Sequence, residues 1–533
     1  MTVTNLRGFS SDQRGAAEFC IIGGGIAGLI VASRLARAKK RVIVLESGDD
    51  RFDPAVDELN EVEDLNGRYG RERTGRGRGL GGSSRLWGGR MIPMDDFGER
   101  PHVSQPEWPI DLSSLDRYTR EIEDLFATGH DSYEDIGPHE PAVMPSDNQH
   151  FRPRWAKCPT FRRCNLSVSL GAELRSSPNV TVWLNATVCG FDVDRDTGGL
   201  RSVTARNLDQ RSVTVTADQF IIAGGTIEST RLLLLIDEAT EKQAFQACAV
   251  LGRFFQDHLK AQVAVVDRRD ASATNRRFAY RFVNSTRRDM HLEVSGPAQR
   301  ADKVSSAFVY VAMDLRGGPL SELKLLAHSV QRRRVQVRDL RRFSRNLGFI
   351  GQAAYWRLAS HQLYVPRDID FRLMVCVEQL PDWNNRILLS RVPDVMGVRK
   401  ALLDWKPTIA DERAFRSTIA HLGEYWRATG LDNECPLIWS PAVQDEGRQI
   451  IDTAEACAHP SGSTRMGRDP ATSVVGPDLR CHAMPNVAVA SASVFPTAGS
   501  ANPTFTIMQL AMWLADSYSS GPAIQASAPA LAA

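Results

Sequence analysis

The sequence predicts an α/β fold that contains a Rossmann-like domain. Three observations support this prediction: a length of 533 residues, a strand–turn–helix–strand pattern near the N-terminus, and a buried strand ending in glycines at "FIIAGG", residues 220–225. A chain of this length exceeds one ordinary core. We therefore expect two or more domains, one of which can be built from separated segments.

Composition excludes several classes of protein. A hydrophobic fraction of 42% and a charged fraction of 24% are typical of soluble globular proteins. The formal net charge of +2 does not indicate a nucleic-acid partner. The nine cysteines lack CxxC and CxxCH spacing, which favours reduced thiols in a cytoplasm and predicts no metal site or attached haem. Neither a signal-peptide core nor a run of about 18 apolar residues is found, so we expect a soluble, cytoplasmic protein without a transmembrane segment.

The N-terminal pattern is a βαβ unit. Residues 19–22 form a short apolar run typical of a buried parallel strand, and residues 26–38 have helical spacing. Residues 41–45 form a second apolar strand, which an acidic residue follows. Together these elements predict a dinucleotide-binding unit.

The turn of this unit has the form Gly23-x-Gly25-x-x-Gly28. Gly23 allows the tight turn, Gly25 lets the backbone approach a pyrophosphate, and Gly28 lets the helix pack closely on the sheet. The N-terminus of the helix offers N–H groups and a positive dipole to phosphates. Glu46 is placed to accept hydrogen bonds from a ribose 2′-OH. The motif by itself leaves both NAD and FAD open.

A second glycine-rich stretch, "GRGRGLGGSSRLWGGRMIP", covers residues 75–93. Such a run can be a flexible surface loop, but here Trp87 lies within it and an apolar segment follows. A glycine-rich backbone with an aromatic residue favours close approach to a flat ligand. FAD is longer than one βαβ unit can hold, and this stretch fits the need for a second binding segment.

Four motifs together resemble the glucose–methanol–choline (GMC) oxidoreductase family. They are the fingerprint, "GLGGSSRLWGG", "FIIAGGTIESTRLLL" and the C-terminal "HPSGSTRMG…SVV…NVAVASASVFPTAGSANPTFTIMQLAMWLAD". They occur in the family's order from about residue 18 to about residue 518, and residues 265–365 match nothing in the family. Within the family, the sequence is most similar to pyranose oxidases and bacterial FAD-dependent sugar dehydrogenases.

The resemblance implies two domains made of discontinuous segments, α+β overall. The FAD-binding domain would comprise residues 16–100, 179–260 and 455–518. A substrate domain, with an antiparallel sheet flanked by helices, would comprise residues 101–178 and 261–454. Within these segments we expect paired strands over 179–192, a helix over 226–235, strands over 370–379 and 385–390, and a helix over 504–514. The Ala/Ser/Pro-rich tail, residues 519–533, is predicted to be disordered.

The resemblance also implies FAD as the cofactor. Pyranose oxidases bond it covalently through a histidine at the position of Leu86, so we expect non-covalent FAD here. Ser491 stands where many members have aspartate. The predicted cofactor-binding residues are Gly23, Gly25, Ile26, Ala27, Gly28, Glu46, Ser47, Arg78, Gly79, Gly82, Ser83, Trp87, Gly88, Gly89, Val188, Ala223, Gly224, Ser493, Asn502, Pro503 and Thr504.

His459 and Asn502 are the predicted catalytic residues. His459 begins the small-residue segment "HPSGSTRMG", and Asn502 precedes Pro503, a good signal for the start of a helix. In the pyranose-oxidase type, the histidine at this spacing is catalytic and an asparagine can be its partner. His459 would take the hydroxyl proton while flavin N5 accepts a hydride, and Asn502 would position the oxygen. The Asp257-His258 pair is interpreted as structural.

The resemblance favours a sugar-like substrate: a pyranose, glycoside, aminoglycoside or nucleoside. Gln379 is the predicted substrate contact, chosen over Glu378 because strand alternation lets only one of them face the pocket. Oxygen, a quinone or a separate redox protein remain open as electron acceptors, as does homo-oligomer formation. Alternatives are a GMC-fold lyase or decarboxylase, an oxidoreductase acting on another alcohol, or a flavin-binding protein without catalysis. The arginine-rich residues 329–348 are interpreted as a solvated helix face, with an anionic or protein partner as the alternative.

Overall fold

The computed structural model describes residues 2–71, 74–94, 100–103, 106–137, 149–315 and 346–519, together with residues 322, 341 and 344. Two predicted segments lie largely outside the described residues: the tail beyond residue 519 and the arginine-rich segment over 329–348. Among the described residues, no helix is both long and apolar enough to cross a membrane.

Strands and helices of the described residues are numbered in chain order. The strands are β1 Thr2–Asn5, β2 Gln13–Ile22, β3 Val42–Leu45, β4 Glu63–Asp64, β5 Phe151–Cys158, β6 Val180–Leu184, β7 Thr187–Val193, β8 Leu200–Arg206, β9 Ser212–Ile222, β10 His258–Val266, β11 Arg281–Val283, β12 Thr286–Val294, β13 Ala307–Met313, β14 Phe371–Glu378, β15 Arg386–Pro393, β16 Arg399–Asp404, β17 Leu437–Trp439, β18 Glu455–Ala456 and β19 Val487–Val489. The α-helices of seven or more residues are α1 Ile26–Arg37, α2 Thr119–Phe126, α3 Gly225–Ala239, α4 Ala271–Phe278, α5 Gly296–Asp302, α6 Leu347–Ala359, α7 Ile409–Ala428 and α8 Thr504–Ser519.

The first sheet has the strand order β1-β6-β3-β2-β9-β8-β7, and β19 also pairs with β9. Strands β1, β6, β3, β2, β9 and β19 run parallel, whereas β7 and β8 are antiparallel. Helix α1 packs on this sheet beside α8. Close packing of α1 depends on Gly28, because a Cβ there would lie 2.0 Å from the carbonyl oxygen of Gly23. The predicted Rossmann-like α/β architecture is confirmed.

The segment predicted as paired strands over residues 179–192 does form two strands, but they do not pair with each other. Strand β6 lies between β1 and β3, while β7 pairs with β8 at the opposite end of the sheet. The chain turns between them at Asn185, whose φ is 54°. The Asn185 side chain donates to Asp49 and Asn5, which holds the turn against the N-terminal segment. Alternation of apolar residues cannot show which strand is the neighbour.

The second sheet is antiparallel, with the order β11-β12-β13-β14-β10-β17, and β5 and β18 pair with β12 and β10. Helix α7 packs against β13 and β14 and buries Phe415, Leu422 and Tyr425. An antiparallel sheet flanked by a helix was predicted, and this feature is confirmed. A small third sheet, β15-β16-β4, joins residues 63–64 to residues 386–404.

The structure adds three details to the division into domains, which stays a prediction. Strand β1, which precedes residue 16, completes the first sheet. The predicted substrate-domain segment 101–178 contributes to both units, because β5 joins the second sheet while α2 packs near α8 in the first core. Strands β14 and β15, joined by "LPDWN", belong to different sheets.

Candidate active site

A cavity of about 240 Å³, open to solvent, lies at the carboxyl edge of the parallel strands. Five strands, β2, β3, β6, β9 and β19, end at this edge, and the residues that follow each of them line the cavity. Ligands of open α/β sheets bind at such an edge, because every parallel strand delivers its next residue there. The residues after these strands are Gly23, Glu46, Ala186, Thr187, Val188, Ala223, Gly224, Ala490 and Ser491.

The glycine positions of this cavity fit a dinucleotide. A Cβ at Gly82, where φ is +53°, would lie 2.8 Å from the Cα of Gly25, so the two glycine-rich segments meet at a place where only backbone fits. Within the described residues, no side chain caps the N-terminus of α1 at Gly25. Its first N–H groups are therefore available to phosphate oxygens.

Two arginines give this wall a positive charge. Arg78 donates to Glu228 at 3.0 Å, and Arg76 lies 3.8 Å from the same carboxylate. Burial would raise the pKa of Glu228, but Arg231, Arg78 and Arg76 outweigh it and lower that pKa to about 2. Two cations thus face one anion at the cavity, which suits a pyrophosphate. Arg76 was missed by the sequence analysis, although the alternation Gly-Arg-Gly-Arg-Gly marked it.

Glu46 has a structural role that its position in the fingerprint did not reveal. Its side chain is buried and accepts hydrogen bonds from the backbone N–H groups of Gly24 at 2.7 Å and of Gly48 and Gly79 at 2.9 Å each. The carboxylate thus joins the fingerprint turn to the second glycine-rich segment. A ribose hydroxyl would be an additional donor to a group that already holds the cavity together.

The predicted cofactor-binding residues divide into two groups. The following line the cavity: Gly23, Gly25, Ile26, Ala27, Glu46, Ser47, Arg78, Gly82, Ser83, Val188, Ala223, Gly224, Pro503 and Thr504. The following do not: Gly28, Gly79, Trp87, Gly88, Gly89, Ser493 and Asn502. Ser491 lines the wall in place of Ser493, which instead accepts a hydrogen bond from Thr464. The indole of Trp87 donates to the carbonyl of Cys164, and Leu86 is 58% exposed.

His459 lines the cavity and belongs to a chain of hydrogen bonds. Its Nδ1 lies 2.8 Å from Nδ1 of His258, and its Nε2 lies 3.3 Å from Nδ2 of Asn502. On the far side, Nε2 of His258 lies 2.6 Å from the carbonyl oxygen of Gly499. The predicted pair His459 and Asn502 is therefore together. His258, which the sequence pattern had suggested to be structural, also belongs to this chain of hydrogen bonds.

This chain of hydrogen bonds determines which ring nitrogens of the two histidines carry protons. A carbonyl oxygen only accepts, so Nε2 of His258 must donate to Gly499. Burial lowers the pKa of both histidines, which keeps them neutral and leaves Nδ1 of His258 without a proton. His459 must then donate from Nδ1 to His258. The lone pair of His459 is consequently on Nε2, next to Asn502.

Strand pairing brings the two histidines together. His258 begins β10, and β18 pairs with β10 three residues before His459. The carboxylate of Asp257 accepts from the backbone N–H groups of His459 at 2.9 Å and Cys457 at 3.1 Å, and from the hydroxyl of Tyr69 at 2.9 Å. Sequence order gave no signal for this contact, because about 200 residues separate the two segments.

Gln379, the predicted substrate contact, lies outside the cavity. It is fully buried in the second core, where its Oε1 accepts from Trp405 at 2.6 Å and its Nε2 donates to Asp411 at 3.2 Å. The carboxylate of its neighbour Glu378 accepts from the N–H of Gly499 at 2.8 Å. Glu378 therefore contacts the Gly499 segment, whereas Gln379 contacts Trp405, Asp411 and the backbone N–H of Asp257.

Comparison with protein families identifies the segment that carries His459 and Asn502. A family model described as GMC oxidoreductase matches residues 381–511, and one described as an NAD(P)-binding Rossmann-like domain matches residues 21–52. The C-terminal part of the chain is therefore similar to the GMC oxidoreductase family. The glycine cradle and positive wall of the cavity fit FAD, the cofactor that this similarity implies.

Two oxidases from Streptomyces species are similar to this chain. Paromamine 6'-oxidase of Streptomyces fradiae is 31% identical over 27% of this chain and 24% of its own length. The chain thus spans about a quarter of that relative. 6'''-Hydroxyparomomycin C oxidase of Streptomyces lividus is 23% identical over 93% of this chain and 90% of its own length.

Solved structures support the fold of this chain. Formate oxidase of Aspergillus oryzae, in a study of FAD modification, superposes with a TM-score of 0.56 at 16% identity and covers 94% of this chain and 98% of its own. Pyridoxine 4-oxidase of Mesorbium loti has a TM-score of 0.53 at 16% identity, covering 94% of this chain and 99% of its own.

Asp257 should make the stability of the protein pH-dependent. Burial raises the pKa of Asp257 to about 7, whereas its unfolded value is 3.8. Between these values the folded state holds a proton that the unfolded chain has lost, so stability falls as pH rises. Asp257→Asn removes this titration. Urea unfolding from about pH 4 to pH 8 should show the parent losing stability relative to the variant by up to about 1.4 kcal/mol per unit. Parallel pH curves for the two proteins would contradict this assignment.

Proposed function

We propose that the protein is an FAD-dependent GMC oxidoreductase that oxidises a hydroxyl of a sugar-like molecule to a carbonyl, with His459 as the base and an aminoglycoside-type amino sugar as the preferred class of substrate. The observation that carries the proposal is the lone pair on Nε2 of His459, held next to the Asn502 amide beside the cavity. The names of two relatives, which act on paromamine and on 6'''-hydroxyparomomycin C, support the amino-sugar class.

His459 and Asn502 present complementary groups to one hydroxyl. Nε2 of His459 is an acceptor and Nδ2 of Asn502 is a donor, and 3.3 Å separates them. A substrate hydroxyl that lies beside this pair, within reach of both nitrogens, donates its proton to Nε2 and accepts a hydrogen bond from Nδ2. The oxygen is thereby held at two points, which fixes the direction of its C–H bond.

His459 then removes the hydroxyl proton. When bound, FAD supplies the acceptor for the hydride that leaves the same carbon. Burial lowers the pKa of His459, so the ring is neutral and able to accept a proton at neutral pH. As His459 becomes protonated, its Nδ1–H continues to donate to His258, and Nε2–H of His258 to Gly499. This chain keeps the ring oriented and disperses part of its charge.

A second acceptor favours a substrate with several polar groups. Oδ1 of Asn502 is buried without a hydrogen-bond partner among the described residues. A buried acceptor without a partner costs free energy, which a ligand can recover. A neighbouring hydroxyl or ammonium group of an amino sugar would donate to it, whereas a simple alcohol offers no such group.

We predict that FAD is bound non-covalently. Leu86 has no nucleophilic atom, and its side chain is exposed and outside the cavity. Acid precipitation of the purified protein should release all of the yellow chromophore into the supernatant. Flavin that stays with the washed pellet would contradict the role assigned to Leu86.

The substrate class is tested by anaerobic mixing of the holoenzyme with paromamine, with glucose and with ethanol. We expect loss of the absorbance of oxidised flavin with paromamine, slower loss with glucose and little with ethanol. Ethanol has no second donor for Oδ1 of Asn502, and glucose offers a neutral hydroxyl there, whereas the amino sugar can offer a charged ammonium group. Equal rates with ethanol and paromamine would exclude recognition of a sugar-like substrate.

His459→Ala and Asn502→Ala should have different kinetic signatures. Loss of the base should slow flavin reduction by about 10² to 10⁴ and make the remaining rate rise with pH, as hydroxide replaces the ring. Loss of the Asn502 donor should slow reduction by about 10² or more without that new pH dependence, because the base is still present. Rapid mixing across a pH series measures both rates.

The matched control for these variants is His482→Ala. His482 is an exposed histidine, bonded to Ser473 and the carbonyl of Gly467, and it does not line the cavity. Its replacement should leave the reduction rate unchanged. An undiminished rate in folded, yellow His459→Ala would refute His459 as the base.

A further inference from the structure

A cluster of polar side chains lies beside the second sheet, among residues that do not line the cavity. His150 immediately precedes β5, His421 and Glu424 are three residues apart on α7, and Asp302 is the last residue of α5. Three separate chain segments therefore meet here. No metal site was predicted from the sequence. About 271 residues separate the two histidines, and no spacing motif joins them.

The ligand atoms of this cluster are close together. Nδ1 of His150 lies 2.8 Å from Nδ1 of His421 and 3.8 Å from a carboxylate oxygen of Glu424, and these three atoms all lie within 4.8 Å of one another. The other nitrogen of His421, Nε2, lies 3.1 Å from Oδ2 of Asp302. Ser417 donates to the same oxygen at 2.6 Å and holds that carboxylate in place.

Asp302 determines the tautomer of His421. A carboxylate accepts, so Nε2 of His421 carries the proton, and a neutral ring then has its lone pair on Nδ1. One proton can be shared between the Nδ1 atoms of His150 and His421. The Glu424 oxygen lies 3.8 Å from Nδ1 of His150, which is too far for a hydrogen bond. A cation placed between the three atoms requires the shared proton to move from Nδ1 to Nε2 of His150, after which the cation would interact with all three lone pairs. The donation from His421 to Asp302 matches the carboxylate–histidine–metal arrangement that orients metal ligands.

We propose that His150, His421 and Glu424 bind a divalent transition-metal cation of the zinc class, with Asp302 as the positioning residue for His421. Two imidazoles and one carboxylate are a donor set that zinc uses, and three protein ligands leave a position for water. Glu424 is 54% exposed, so that position faces solvent. The cation would tie α7 to the chain leading into β5, and its binding should stabilise the folded protein.

The test is a calorimetric titration of chelator-dialysed, FAD-loaded protein with zinc chloride, accompanied by thermal unfolding with and without zinc. We expect one saturable site per chain and a rise in the unfolding temperature. His421→Ala should abolish both effects. Asp302→Asn should weaken zinc affinity by about 10- to 100-fold, as loss of a carboxylate behind a ligating histidine typically does.

Two further variants keep the test decisive. Glu424→Gln changes a half-exposed residue on a helix, so this variant should fold even if His421→Ala does not. It should also weaken zinc binding. His130→Ala is the matched control, because His130 contacts the carboxylates of Glu123 and Asp124 without a second histidine; it should bind zinc like the parent. Absence of a saturable site in the parent, or unchanged affinity in both His421→Ala and Glu424→Gln, would overturn the proposal.

Discussion

The hydrogen bond between Nδ1 of His258 and Nδ1 of His459, 2.8 Å long, connects the parts of the protein that form the active site. His258 begins a strand of the antiparallel sheet, His459 lies in the C-terminal segment, and Gly499, which accepts from His258, precedes α8. In the chain of hydrogen bonds from Gly499 through His258 to His459, each donor has one acceptor. The carbonyl of Gly499 therefore determines, through His258, that the lone pair of His459 is on Nε2, where a hydroxyl can reach it.

The cavity depends in turn on the parallel strands, whose carboxyl ends supply most of its wall. Glu46 joins the two glycine-rich segments through three backbone N–H groups, and Asp257 holds the backbone of His459 in a similar way. In both places a buried carboxylate satisfies backbone donors of segments that are far apart in sequence. Such contacts orient catalytic and cofactor-binding groups without touching substrate.

Short sequence patterns predicted those elements whose structure depends on interactions between residues close in sequence. The fingerprint around Gly23–Gly28 located α1 and the end of β2 to within one residue, because strand burial, the glycine turn and helical spacing all occur in one short stretch. It missed the start of β2, which lies at Gln13 and not at residue 19. The resemblance located the segment with His459 and Asn502. Sequence could not show that β6 and β7 pair with different neighbours, that Gln379 faces Trp405, or that His258 contacts His459. Each of these depends on contacts between distant segments, which no single stretch encodes.

The proposed mechanism depends on where the protons lie along the chain of hydrogen bonds from Gly499 to Asn502. Neutron diffraction from deuterated crystals of the FAD-bound enzyme without substrate measures it directly, because it locates hydrogen isotopes that X-rays do not show. The account predicts a deuteron on Nε2 of His258, a deuteron on Nδ1 of His459 directed at His258, and none on Nε2 of His459. A deuteron on Nε2 of His459, with Nδ1 bare, would contradict it, because the ring would then have no lone pair for the substrate hydroxyl.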